Sequence, residues 1–242
     1  MPTPATTQIF VAVDTTDLAT AAAQTAATAG VIPGIKLGLE FFTAHGPDGV
    51  RAVRSGSRPL FLDLKLHDIP NTVAGAARAV TPLRPTLLTV HAGGGAAMLR
   101  AALDGAGEAS AKDGITRPAI IGVTVLTSLA ESDIDAVGQR GPIADQARRL
   151  AALAKSCGLD GVVCSPHEIA ALRAECGAGF LLVVPGIRPE DSETQDQRRV
   201  MGPAEARDAG ASVLVIGRPI TGAPDPALAA RDIAQSLGIS DA

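Results

Sequence analysis

The chain has 242 residues, of which 46% are hydrophobic, with a net charge of −4 and neither Trp nor Tyr. This uniform composition predicts one domain over residues 1–242, with residues 1–7 as a flexible tail, and the lack of a basic cluster or stacking aromatics argues against nucleic-acid binding. No apolar run approaches the roughly 18 residues that span a membrane and no signal peptide is visible, so we expect a cytoplasmic protein.

Eight short apolar runs are predicted as strands. They are Ile9–Val13, Gly34–Leu37, Leu60–Lys65, Leu87–His91, Ala119–Thr124, Gly161–Cys164, Leu181–Val184 and Val213–Ile216. The predicted helices between and after them are Leu18–Ala29, Thr72–Val80, Ala96–Leu103, Ile143–Lys155, Pro166–Glu175, Pro203–Ala209 and Pro226–Leu237. Because strands that alternate with helices favour parallel pairing, eight such units in about 250 residues predict an α/β fold, a (β/α)8 TIM barrel.

An open doubly wound sheet is the competing fold, but it would favour a Gly-rich turn after the first strand, where this chain has Val-Asp-Thr-Thr-Asp at 13–17. A barrel predicts in addition that functional residues follow the carboxyl ends of the strands. Seven of the eight predicted strands do carry, end in or lead into polar residues, and these are Asp14, Lys36, Asp63, Lys65, His91, Thr127, Ser128, Arg188 and Arg218. We therefore expect an active site at this rim of the barrel.

Residues 63–72 read Asp-Leu-Lys-Leu-His-Asp-Ile-Pro-Asn-Thr and carry charges of both signs at the end of an apolar strand. In a regular strand Asp63 and Lys65 point to the same face. The turn from Asp68 is expected to lead into a helix capped by Asn71 or Thr72. An Asp-x-Lys pair usually forms a salt bridge at an exposed edge. Charged pairs at the end of an otherwise apolar strand, however, more often line a cleft, so this run predicts a functional site.

The last two loops predict a phosphate-binding site. They follow strands seven and eight, where barrels commonly hold phosphate with backbone N–H groups and a cation. Here they supply Gly186, Arg188, Gln197, Gly217 and Arg218. Glycine lets the backbone approach a phosphate and the Arg fork matches its oxygens, so we expect a small phosphorylated substrate. The polar segment 188–199 is a candidate lid, although its alternative is an ordinary solvated loop.

Together these motifs resemble the orotidine 5'-phosphate decarboxylase family from Asp14 to Arg218. The resemblance rests on the run at 63–72, with Gly-Ile-Lys36 before it and Val-Thr-Val-Leu-Thr127-Ser, Pro-Gly-Ile-Arg188, Asp-Gln197-Arg-Arg and Ile-Gly217-Arg218 after it. It implies a dimeric barrel that converts orotidine 5'-monophosphate to UMP and CO2, the last step of de novo pyrimidine synthesis, without metal or organic cofactor.

The resemblance also implies residue roles. Lys65 would be the proton donor in a charged network that Lys36, Asp63 and Asp68 complete. The segment from Asp68 through Asn71 and Thr72 would reach into the partner's site, giving a homodimer with shared active sites. The substrate-binding residues would be Asp14 and Lys36 at the ribose, Thr127 and Ser128 at the pyrimidine, and Pro185, Arg188, Gln197, Gly217 and Arg218 toward the phosphate.

Two alternatives remain open. A magnesium-dependent sugar-phosphate decarboxylase or aldolase of a related barrel group resembles the chain in Asp-x-Lys-x-x-Asp, but it has a Glu metal ligand at the end of strand two. This chain has Lys36 there, and a cation would repel Mg²⁺. A non-enzymatic nucleotide-binding barrel is the other alternative, and the four-residue charged network argues against it. No pair of the four histidines has the spacing of a metal site, so no metal is expected.

Overall fold

The computed structural model describes residues 7–54, 56–189 and 201–239. Eight parallel strands close into a barrel in sequence order, so that β1 pairs with β2 and with β8. The strands are β1 (Gln8–Val13), β2 (Gly34–Gly38), β3 (Leu60–Leu66), β4 (Leu87–His91), β5 (Ala119–Val123), β6 (Gly161–Val163), β7 (Leu181–Val184) and β8 (Val213–Ile216). The predicted (β/α)8 barrel is confirmed, and each predicted strand agrees within one residue at either end.

Helices connect the strands on the outside of the barrel. They are α1 (Leu18–Thr28), α2 (Leu39–Val53), α3 (Pro70–Val80), α4 (Gly95–Asp113), α5 (Glu131–Ala136), α6 (Ile143–Ser156), α7 (Ile169–Cys176), α8 (Pro203–Asp208), α9 (Arg218–Thr221) and α10 (Pro226–Ser236). Short 3-10 turns precede α4 and α7, and another follows α3. Every predicted helix is present, although Pro166–Glu168 of the predicted Pro166–Glu175 helix is one of these turns.

The predicted cap of α3 by Asn71 or Thr72 is wrong. The helix begins at Pro70, and Ile69 is its N-cap with no side-chain capping hydrogen bond. Proline needs no N–H partner in the first turn and its fixed φ suits a helix, so α3 can start two residues before the predicted position. Asn71 and Thr72 are exposed as a result.

The apolar residues of the strands pack in two layers, one between the barrel and the helices and one inside the barrel. Alternate strand residues such as Ile9, Leu62 and Leu88 pack outward against the helices. The intervening residues fill the barrel interior, and they include Phe10, Ala12, Phe61, Leu87, Ile121, Val183, Val213 and Val215. Gly34 makes room for this interior layer, because a Cβ there would lie 2.4 Å from the ring of Phe10. The layer closes the barrel from below and leaves the carboxyl ends of the strands for polar side chains.

The start of the described chain and the cysteines complete the description of the fold, and Cys164 also lines the cavity described below. Thr7 of the predicted tail donates a 3.1 Å hydrogen bond from Oγ1 to the Ala211 carbonyl, and residues 1–6 lie outside the described residues. Cys157, Cys164 and Cys176 are buried free thiols. In the part of the chain that the structure describes, none of the helices has the length and apolarity needed to cross a membrane.

Candidate active site

A cavity of about 520 Å³ opens at the carboxyl ends of the strands. Most of the predicted site residues line it, and these are Asp14, Lys36, Asp63, Lys65, Thr127, Pro185, Arg188, Gly217 and Arg218. Asp68, Asn71, Thr72 and Ser128 do not line the cavity, and Gln197 lies outside the described residues. Residues that are up to 204 positions apart in the sequence therefore meet at one rim, because they lie in or directly after the carboxyl-terminal parts of six parallel strands.

The floor of the cavity carries a row of alternating charges. Lys36 Nζ lies 2.8 Å from Asp14 Oδ1 and 3.8 Å from Asp63 Oδ2. Lys65 Nζ lies 2.6 Å from the same Asp63 oxygen. The Asp63 side chain is only 13% exposed, whereas the Lys65 side chain is 31% exposed. One largely buried carboxylate thus lies near two ammonium groups, and both lysines line the cavity.

The environment of Asp63 determines its charge. Burial alone raises the pKa of this carboxyl, but the charges of Lys36 and Lys65 and the hydrogen bonds from Lys65 and Thr89 oppose that effect. The combined result is a pKa below the ordinary value of Asp. Asp63 therefore remains a fixed negative charge at neutral pH, in the lining of the cavity.

Strand β3 is not regular where it carries these charges. Lys65 has a φ of 50°, in the left-handed region that non-glycine residues rarely adopt. The register with β4 shifts there, since Leu62 pairs with Leu88 while Leu66 pairs with Val90. Asp63 and Lys65 do meet, as predicted, but through a bulge rather than through the alternation of an ideal strand.

Thr89 is a site residue that sequence reasoning missed. It lies on β4 with no exposed surface. Its hydroxyl donates to Asp63 Oδ1 and accepts from the Lys65 backbone N–H, both at 2.9 Å. The available signal was a single hydroxyl between Leu88 and Val90, in a strand that is otherwise apolar up to its terminal His91. That signal is weak because threonine is common in strands.

Asp68 is separate from the charged row in the described chain. It is exposed, and its Oδ1 accepts a 2.6 Å hydrogen bond from the backbone N–H of Ile69. Over residues 7–54, 56–189 and 201–239, Asp68 forms no ion pair with either lysine of the row. The neighbouring Ile69 is 67% exposed. A single chain therefore gathers Lys36, Asp63 and Lys65 without the fourth predicted member.

The loops after β7 and β8 form the opposite side of the cavity. Gly186 has a φ of 78°, a conformation that glycine adopts readily. Arg188 is 7% exposed, and its backbone N–H donates to the Met201 carbonyl at 3.0 Å. Arg218 begins α9 directly after Gly217. Two guanidinium groups therefore line one end of the cavity, while residues 190–199 of the predicted lid lie outside the described residues.

Two histidines stand beside the charged row. The rings of His67 and His91 are 5.5 Å apart between centroids. Burial lowers the pKa of His91, and electrostatic interactions with His67 and Lys65 lower it further against the opposing effect of Asp63. His91 is therefore mainly neutral at neutral pH and adds no further positive charge to the two lysines of the row.

Comparisons with known proteins agree with this geometry. The sequence profile of the orotidine 5'-phosphate decarboxylase / HUMPS family matches residues 7–233. A protein of Paramagnetospirillum magneticum named orotidine 5'-phosphate decarboxylase is 55% identical over 231 residues, covering 96% of this chain and 98% of that protein. Another of that name from Rhodospirillum rubrum is 56% identical over 230 residues, or 95% of this chain and 93% of that protein.

A solved structure gives the same result. The crystal structure of orotidine 5'-phosphate decarboxylase from Lactobacillus acidophilus superposes with a TM-score of 0.84 at 36% sequence identity. The superposition covers 96% of this chain and 99% of that one. Fold and sequence therefore agree over nearly the whole chain.

Proposed function

The chain belongs to the orotidine 5'-phosphate decarboxylase family and is a carboxy-lyase, and we propose that it converts orotidine 5'-monophosphate to UMP and CO2 with Lys65 as the proton donor. The observation that carries the proposal is the Asp63 carboxylate held between the Lys36 and Lys65 ammonium groups at the cavity floor. Such a row supplies fixed charges of both signs at one reacting carbon, without any group that must be reoriented during the reaction.

The chemistry requires a localised charge to be stabilised. Loss of CO2 breaks the bond between the carboxylate and an sp² ring carbon and leaves the electron pair on that carbon, where no π system accepts it. The Lys65 ammonium stabilises this carbanion and then transfers a proton to it, which forms the C–H bond of UMP. Asp63 lies near the substrate carboxylate and disfavours the bound ground state, while Lys36 holds Asp63 in place.

The remaining residues are proposed to bind the substrate. Asp14 and Lys36 bind ribose hydroxyls at their 2.8 Å ion pair, and Thr127 and Ser128 bind the pyrimidine. Toward the phosphate, the proposed residues are Pro185, Arg188, Gln197, Gly217 and Arg218. We further propose a cytoplasmic homodimer in which Asp68, Asn71 and Thr72 of one chain contact the site of the other. The exposed Ile69 supports a contact face at this segment.

The proposed activity is tested by the ultraviolet absorbance change on adding orotidine 5'-monophosphate to the protein after exhaustive treatment with EDTA. We expect full activity, because the Lys36 ammonium lies where a metal-binding carboxylate would be needed. Activity that returns only with added Mg²⁺ would favour the sugar-phosphate alternative. A bound nucleotide with no turnover would favour the non-enzymatic barrel.

Arg218→Ala tests the phosphate role. We expect kcat/KM for orotidine 5'-monophosphate to fall about 10- to 150-fold, because a hydrogen bond to a charged group contributes roughly 1.5–3 kcal/mol. Turnover of orotidine, which has no phosphate, should hardly change. Arg231→Ala, an exposed arginine of α10, is the matched control and should retain wild-type kinetics. Equal losses with both substrates would remove Arg218 from the phosphate site.

A further inference from the structure

The Lys65 backbone conformation needs an explanation that the charged row does not give. A lysine at a φ of 50° is in a disfavoured conformation, and surrounding structure must hold it there. It occurs in the bulge of β3, where the four steps from Leu62 to Leu66 are matched by the two steps from Leu88 to Val90 on β4. Such bulges re-aim side chains near active sites, but they also interrupt the backbone hydrogen bonds between strands.

Thr89 lies opposite this bulge, between the two β4 residues that pair with its ends. Its hydroxyl accepts from the Lys65 N–H, so a side chain supplies a hydrogen bond to backbone within the interrupted segment. The same hydroxyl donates its only proton to Asp63 Oδ1. Asp63 Oδ2 is the oxygen that lies near both lysines. One buried hydroxyl thus fixes the main chain of the proton donor and the orientation of its carboxylate partner.

We propose that Thr89 is a positioning residue, whose hydroxyl holds the Lys65 backbone and the Asp63 carboxylate in the arrangement that decarboxylation needs. The proposal rests on the function proposed above, and it adds a member to the site that touches neither substrate nor reacting atoms. Valine has nearly the same shape as threonine but can make neither hydrogen bond. Thr89→Val therefore removes both positioning contacts while keeping a side chain of nearly the same shape.

The expected result for Thr89→Val is a fall in kcat of about 10- to 100-fold with KM and UMP binding close to wild type, because a small displacement of the reacting groups slows chemistry. Thr89→Ser retains the hydroxyl and loses the methyl group, so it should recover most of kcat. Thr81→Val is the matched control, since Thr81 is also fully buried and its hydroxyl bonds only to the Ala77 carbonyl. That partner is the only one for the Thr81 hydroxyl among the described residues, and the control should leave kcat unchanged.

The outcomes separate the two proposals. If wild-type protein does not decarboxylate the substrate, the proposed function fails. If wild-type protein is active and Thr89→Val retains its kcat, or if Thr89→Ser is as slow as Thr89→Val, the positioning role of Thr89 is overturned. Should Thr89→Val not fold, Thr89→Ala and Thr89→Ser give the same test. Both lose the methyl group and only serine keeps the hydroxyl, so equal kcat values for that pair would overturn the role.

Discussion

Lys65→Ala is expected to lower kcat by about 10⁴-fold or more, because the variant loses both the proton donor and the charge that stabilises the carbanion. UMP should still bind, since Arg188 and Arg218 at the other end of the cavity are unchanged. The fold should also persist, because Asp63 keeps its hydrogen bond from Thr89 and its contact with Lys36. Turnover is measured by absorbance and UMP binding by calorimetry.

Two further variants sharpen this result. Lys65→Arg keeps a positive charge, but a guanidinium does not release its proton in proteins, so this variant should be nearly inactive as well. Substantial activity of Lys65→Arg would show that charge alone is sufficient. Lys112→Ala removes an exposed lysine in the last turn of α4 and is the matched control. Near-normal turnover of Lys65→Ala would contradict the proposed mechanism.

The second large effect is expected on mixing two inactive variants, Lys65→Ala and Asp68→Ala. If Asp68 acts in the partner's site, each mixed dimer has one site with both defects and one with neither. Random subunit exchange makes about half of the dimers mixed, so about a quarter of all sites should regain wild-type activity in a two-fold dimer. Activity is followed during mixing, and mass spectrometry confirms the exchange.

A mixture of Lys65→Ala with Asp63→Asn is the control for this experiment. Lys65 and Asp63 contact each other within one chain at 2.6 Å, so every site of a mixed dimer keeps one defect. This mixture should show no recovery. If the Asp68→Ala mixture is equally inactive after confirmed exchange, Asp68 does not act across the dimer, while the decarboxylase assignment is unaffected.

The sequence predicted the barrel because its strand signals are local. Runs such as Leu87–His91 and Val213–Ile216 are short, apolar and bounded by turn residues, and the structure has these two with the same ends. The polar residues that follow different strands could also be assigned to one rim, since parallel strands of a barrel end on the same side. The meeting of Asp14, Lys36 and Asp63 follows from that rule.

Helices that contain glycine were harder to predict. Helix α2 was missed because Gly46 and Pro47 interrupt it, and Gly46 has a φ of 57° there. Helix α4 extends ten residues beyond its predicted end at Leu103. Gly105 looks like a helix breaker in sequence, yet a Cβ at this position would lie 2.4 Å from the Ala74 carbonyl oxygen. Its lack of a side chain allows α3 to pack closely against α4, and only the packed structure reveals that requirement.

The sequence alone determined the barrel and the rim, and most of the site residues that it predicted do line the cavity, because alternation along a strand and turn chemistry are properties of neighbouring residues. The tertiary structure decided the geometry of the charges. The left-handed backbone of Lys65 and the hydroxyl of Thr89 depend on how β3 is paired with β4, which sets the register of residues 24 positions apart. No local pattern encodes that register, since it results from the closure of the whole barrel.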